Sequence, residues 1–208
     1  MNLTRKFVNK WNPICLPFEV TDFSVFGENC EVVKYTGDEM SGDDHVTLKF
    51  ETVTDKMEAN VPYMVWIKED ADVTNSWDLT FTGVNYNPAE APVSAGTNYD
   101  YVGVYKNYAK GTSPIANGDV ILSSGAYKTV TGNGGNAIKG FRGYWKKNPS
   151  AAGAKSVSAV IDGQETDDIK SIELIEAFTE GVYNLQGQKV NHARKGVYIV
   201  NGKKVVIK

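Results

Sequence analysis

In HVTLKFETV (45–53) apolar and polar residues alternate, Val46, Leu48 and Phe50 against Thr47, Lys49 and Glu51. A period of two turns every second side chain of an extended chain to the same side, so this segment predicts a strand with one buried face. YMVWI (63–67) is instead apolar at every position behind Pro62, and in WDLTFTGV (77–84) Trp77, Leu79 and Phe81 alternate with polar partners. Both suit an inner sheet. Shorter runs at 5–8, 30–36, 101–105, 120–124, 126–130, 139–145 and 156–161 read as further strands. The connectors, such as TGDEMSGDD (36–44), NYNPAEAPVSAGTN (85–98) and TGNGGN (131–136), are rich in the Gly, Asn, Asp and Pro of turns. About ten strands in one body predict an all-β fold, a jelly-roll-like two-sheet β-sandwich over residues 1–162.

The pattern breaks at DGQETDDIKSIE (162–173), where acidic residues replace the alternation. Residues 163–180 are expected to be an acidic linker with a connecting strand at IELIEAF (172–178). Beyond it a phrase occurs twice: GVYNLQGQKV (181–190) and GVYIVNGKKV (196–205) share six identities in ten. Gln186-Gly187 and Asn201-Gly202 sit where two-residue turns belong, and Asn-Gly suits a type I′ turn because both central residues need positive φ. Residues 181–208 are therefore expected to form a double β-hairpin tail. A lone hairpin is only marginally stable, so the two should pair as a four-stranded unit or dock on the body.

Composition agrees with sheet and tight turns, with eleven Tyr, eight Phe, four Trp and twenty Gly in 208 residues. Charge adds an asymmetry. None of the 25 acidic residues lies beyond Glu180, whereas six of the 22 basic ones do, leaving −9 on residues 1–180 and +6 on 181–208. A basic tail can seek an anionic partner, but lysines also guard exposed strand edges against further pairing, and the second reading is preferred here. No apolar run is long enough to span a membrane, and MNLTRKFVNKWNP has no continuous apolar stretch of the kind a leader needs. Of the two cysteines, Cys15 lies within the apolar Ile14-Cys15-Leu16, where a buried free thiol is the commoner state. A bridge to Cys30 would close a short loop in an oxidising compartment, and two cysteines do not decide between these.

The search for chemistry is largely negative. His45 and His192 lack metal-ligand spacing, and Asp43-Asp44, Glu69-Asp70-Asp72 and Asp167-Asp168 lack the full calcium-loop pattern, so no metal or cofactor is expected. Ser113, Ser123 and Ser124 sit in no nucleophile elbow, and GNGGNAIKG (132–140) fails the phosphate-loop pattern. KGFRGYWKK (139–147) interleaves basic and aromatic residues. It reads better as a core strand between solvated lysines than as a nucleic-acid surface, and no nucleic-acid partner is expected. In NYDYVGVYKNY (98–108), Tyr99, Tyr101 and Tyr105 share strand parity. They would make a glycan-stacking platform if that face were exposed, and a core face or an aromatic ladder if it were not; the latter is preferred.

WNPICLPFEV (11–20), followed in order by VPYMVWI (61–67), the tyrosine segment and GFRGYW (140–145), resembles a β-sandwich module of Bacteroides-type exported cell-surface proteins, over most of residues 3–162. Pro13 stands where that module usually has Thr. The tail is similar to the C-terminal sorting domains of type IX secretion. The resemblance implies an extracellular or surface location, with any leader absent from this chain. It also implies a non-enzymatic module for adhesion, display or attachment, taking an unidentified surface or host ligand. Two other functions remain open: a carbohydrate-binding module using Tyr99, Tyr101, Tyr105, Trp66, Trp77 or Trp145, and a glycan hydrolase built on two of the many carboxylates.

Overall fold

A computed structural model describes residues 1–7, 10–42, 44–67, 76–89, 92–123, 125–132, 136–165, 182–184, 189–190, 196–200 and 203–207. The chain divides into two compact units, Met1–Lys170 and Ser171–Lys208. In the first, β1 (Asn2–Lys6), β2 (Trp11–Cys15) and a 3-10 turn at Phe23–Phe26 precede β3 (Cys30–Met40), β4 (His45–Thr52), β5 (Pro62–Ile67) and β6 (Ser76–Thr80). Then come β7 (Val93–Ser94), β8 (Tyr99–Val104), β9 (Val120–Ser123), β10 (Ala126–Thr129), β11 (Arg142–Lys147), β12 (Ser156–Ile161) and β13 (Gln164–Glu165). The β12–β13 pairing, Val160 with Glu165, carries the sheet past residue 162.

The architecture is a β-sandwich. A six-stranded sheet in the order β13-β12-β4-β3-β5-β2 packs on a five-stranded sheet in the order β10-β9-β11-β8-β7. Pairing is antiparallel except between β12 and β4, which run parallel. Val46, Leu48 and Phe50 of β4 all face the interior, where they join Tyr35, Met64, Tyr99, Tyr101, Tyr127 and Trp145. Burying a side chain of this size contributes about 1.5–3 kcal/mol, so the interface between the sheets supplies a large share of the stability of the unit.

A third, two-stranded sheet, β1 with β6, covers part of the opposite face of the six-stranded sheet. That cover explains the unbroken apolar run in β5: Met64 points into the sandwich, while Tyr63, Val65 and Ile67 join Leu3, Phe7, Leu79 and Phe81 on the other side. On the far face of the five-stranded sheet the connecting segments supply a third cluster, with Ile115, Val130 and Ile138 over Val104 and Tyr144.

β2 of the six-stranded sheet lies against β8 and β11 of the five-stranded one. Gly103 and Gly143 are direct partners across β8 and β11. A Cβ on Gly103 would lie 2.4 Å from Cys15 Sγ, and one on Gly143 would lie 2.6 Å from the Tyr101 ring. Only glycine allows this approach. Cys15 is buried there and both cysteines are free thiols. Burial pushes the Cys15 thiol up to about 12, which leaves it an inert apolar side chain.

The second unit contains β14 (Val182–Asn184), β15 (Lys189–Val190), β16 (Gly196–Val200) and β17 (Lys203–Ile207) in one antiparallel sheet of order β15-β14-β16-β17. Each copy of the repeated phrase is a hairpin, and the two join through β14 and β16, with Tyr183 opposite Ile199. Both expected turns, Gln186-Gly187 and Asn201-Gly202, and the expected strand at 172–178 lie outside the described residues.

Candidate functional site

Leu3 and Arg5 of β1 and Phe7 just after it share one parity, and all three are buried against the six-stranded sheet. Arg5 thus brings a guanidinium into an apolar layer, its central carbon 4.3 Å from the centroid of the Phe7 ring. Its Nη1 donates to the carbonyl of Pro13 at 2.9 Å and to that of Phe141 at 3.2 Å. Pro13 lies on β2, the edge of its sheet, where a missing N–H is tolerated.

The second acceptor depends on an unusual backbone. Phe141 has φ of 58°, a conformation that bulky residues avoid. It follows Gly140, where a Cβ would lie 2.5 Å from the Tyr105 carbonyl oxygen. Gly140 N donates to Asn107 Oδ1 at 2.9 Å, and the Phe141 ring packs on Tyr105 with centroids 5.9 Å apart. Held this way, the Phe141 carbonyl accepts from both Arg5 and the Cys15 amide, the latter at 3.4 Å. The seam of three sheets is therefore pinned at one point.

Arg5 Nε and Nη2 are buried and have no hydrogen-bond partner. These two nitrogens form one edge of the guanidinium, the edge that grips an oxyanion side-on through two parallel N–H donors. Arg5 lines a cavity of about 650 Å³ together with Tyr105, Asn107, Lys139, Phe141 and Arg142, its Nε and Nη2 themselves being shut off from solvent. No Asp or Glu lines it among the described residues. Burial, reinforced by the charge of Arg142 and only partly offset by Tyr101, holds the Arg5 guanidinium down at about 9. Burial also lowers Arg142. An uncompensated buried charge costs on the order of 3–5 kcal/mol, so the arrangement is strained until an anion arrives. What it can do is bind a carboxylate, sulfate or phosphate group.

The residues singled out in the sequence lie elsewhere. Tyr99 and Tyr101 are fully buried, so the parity shared with Tyr105 marks the core face and not an exposed platform. Their hydroxyls are used internally, Tyr99 donating to Gly118 O at 3.2 Å and Tyr101 to Tyr63 O at 2.8 Å. Tyr105 is half-buried and donates to Asn60 Oδ1 at 2.7 Å. Trp145 is buried and stacks on Tyr101 at 4.5 Å; Trp66 is half-buried and packs edge-on against Trp11 at 5.6 Å. The side chain of Trp77 lies outside the described residues.

His45 is spent between two hydroxyls, with Nδ1 2.7 Å from Ser156 Oγ and Nε2 2.8 Å from Ser158 Oγ. Ser113 Oγ accepts from Ile115 N. Asp44 pairs with Lys155 at 2.7 Å, while Asp43, Glu69, Asp70, Asp72, Ser124, Asp167, Asp168 and His192 lie outside the described residues. Among the described residues no three His, Cys, Asp or Glu side chains gather as a metal site, and no helix is long and apolar enough to cross a membrane. A larger cavity, about 840 Å³, lies on the outer face of β3, β4 and β12. Of its charged groups, Lys49 pairs with Glu39 at 2.8 Å, and Asp162 accepts from the Thr52 hydroxyl at 2.6 Å.

The reading of the sequence missed Arg5. The available signal was NLTRKF (2–7), in which Arg5 sits between Leu3 and Phe7 on the parity that must be buried. Comparison of the chain with protein-family models, with curated proteins and with solved structures finds no match.

Proposed function

We propose that the chain is a non-enzymatic binding module that captures an oxyanion-bearing ligand on the free edge of Arg5, with Arg142 and Lys139 adding charge around it. The observation that carries this reading is the buried Nε/Nη2 edge without an acceptor, on an arginine that lines a cavity with no carboxylate among the described residues. A structural clamp would need only the Nη1 donors, and a buried donor left unmade is costly. The absence of a carboxylate pair from the cavity lining gives a glycan hydrolase no acid and base there. The proposed setting is the cell exterior, in adhesion, display or attachment, on the likeness of WNPICLPFEV and of the tail to exported proteins of Bacteroides type.

The test is thermal unfolding of the wild type and of Arg5→Met in chloride and in sulfate at matched ionic strength. Sulfate stabilises many proteins by exclusion from their surfaces, so the variant supplies the baseline. At about ten times its Kd, a specifically bound anion adds about 1.4 kcal/mol, or roughly 3–6 °C in Tm for a chain of this size. That increment is expected in the wild type alone. In chloride the variant loses the Nη1 bonds to the Pro13 and Phe141 carbonyls together with the buried charge, so its melting point there serves only as the baseline. Equal sulfate shifts in both proteins would remove the proposal.

A further inference from the structure

The Arg5 cavity does not end at Arg142. Lys139 and Arg142 also line a second cavity, of about 490 Å³, on the outer face of the five-stranded sheet. This one adds Lys128, Ser123 and Asn136 over a floor that includes Ile121 and Ile138. Neither cavity is lined by Asp or Glu among the described residues, although residues 1–180 carry a formal charge of −9. Four cations, Arg5, Lys139, Arg142 and Lys128, therefore line two cavities that share Lys139 and Arg142, a cationic groove in an acidic body.

Lys128 is on β10 and Arg142 on β11, with β9 between them. Two strand spacings separate them by roughly 10 Å, more than one carboxylate or sulfate group can bridge. Between the cations stand neutral hydrogen-bonding side chains: Asn107, whose Oδ1 is taken by Gly140 and whose amide nitrogen remains a donor, together with Ser123 and Asn136. A hydrocarbon diacid would leave those groups without partners. Hydroxyl-bearing units that also carry acid groups would meet both kinds of residue. Nucleic acid fits less well, because its bases need an open aromatic face. The rings at the groove, Tyr105 and Phe141, are half-buried and tilted against each other by 54°.

We infer that the groove binds an acidic oligosaccharide, carboxylated or sulfated, with one acid group on the free edge of Arg5 and another reaching Lys128 past Arg142. This rests on the anion-binding reading of the Arg5 cavity and deepens it.

The experiment is calorimetric titration of the full chain, wild type and Lys128→Gln, with two pairs of probes. One pair is galacturonic acid and its linear trimer, the other a monosulfated sugar and its trisulfated trimer; a thymidine oligonucleotide is titrated beside them. In at least one pair the trimer should bind the wild type about tenfold or more tighter than the single unit, beyond the roughly threefold that three equivalent units give by statistics. Lys128→Gln, an exposed change that leaves the core alone, should bring that ratio down towards threefold. Ratios of threefold or less in both pairs, a ratio indifferent to Lys128→Gln, or tighter binding of the oligonucleotide than of either trimer would each overturn the inference. If the Arg5-dependent effect of sulfate persists in that case, the anion site stands and only the oligosaccharide is lost. If that effect is absent too, the anion site itself fails.

Discussion

Arg5 carries a full charge into a layer of Leu3, Phe7 and Leu79, and the direction of its shift sets how stability and binding answer to pH. An arginine normally titrates above 12; in the fold this one is held at about 9, mainly by burial and then by Arg142. Between those two values the unfolded chain holds the extra proton, so this group's contribution to stability rises with pH there. Below about 9 its penalty is present in full. An oxyanion needs the protonated guanidinium, so binding runs the opposite way. The sulfate-dependent gain in Tm should be constant from neutral pH to about 9 and decline above it, before most exposed lysines lose their charge. Melting curves in sulfate and chloride along that range check this. A gain that holds until the lysines titrate would assign the anion to Lys139 or Lys128 instead.

At the scale of strands, what could be foreseen was what local pattern decides. The alternation in β4 gave its buried face, and the apolar run of β5 placed it in an inner sheet. The tail hairpins followed from turn chemistry within ten residues. Partners distant in sequence were not legible. The parallel pairing of β12 with β4 joins residues more than a hundred positions apart, and the sheet of β1 and β6 covering the sandwich depends on which faces remain open once the others have packed. Parity grouped Tyr99, Tyr101 and Tyr105 correctly, but parity alone does not say which of two faces meets water. The same limit hid Arg5, whose site exists only because β2 and the turn at Phe141 bring carbonyls to it. The glycine partners Gly103 and Gly143 form this contact between elements. The Tyr101 ring is fixed by its stack on Trp145 and its bond to Tyr63 O, so it has no room to yield to a new methyl group. Gly143→Ala is expected to lower stability by about 1–3 kcal/mol in denaturant unfolding. A loss under about 0.5 kcal/mol would mean that the strands can part without penalty.

For the molecule as a whole, the division into Met1–Lys170 and Ser171–Lys208 separates charge as well as contacts. Among the described residues, all three buried clusters of the first unit are built from residues up to Ile161. The second unit has its own hydrogen-bonded ladder, and its strand-borne lysines are distributed unevenly. Lys189 is on β15 and Lys203 and Lys204 are on β17, the two edges of the sheet, whereas the inner strands β14 and β16 have none. Charge placed on the edges discourages a further strand from adding on, which accounts for much of the basic character of the tail without an anionic partner. If the first unit is complete in itself, removing residues 171–208 should leave its cooperative unfolding intact, with Tm changed by no more than about 2 °C, the effect of well under 1 kcal/mol in a domain of this size. The Arg5-dependent sulfate increment should survive the truncation unchanged, since every residue lining the two cavities precedes Ile161. A broad, non-cooperative melt of the truncated chain would show that the tail completes the core. A sharp melt that had lost the sulfate increment would instead make the tail part of the binding site.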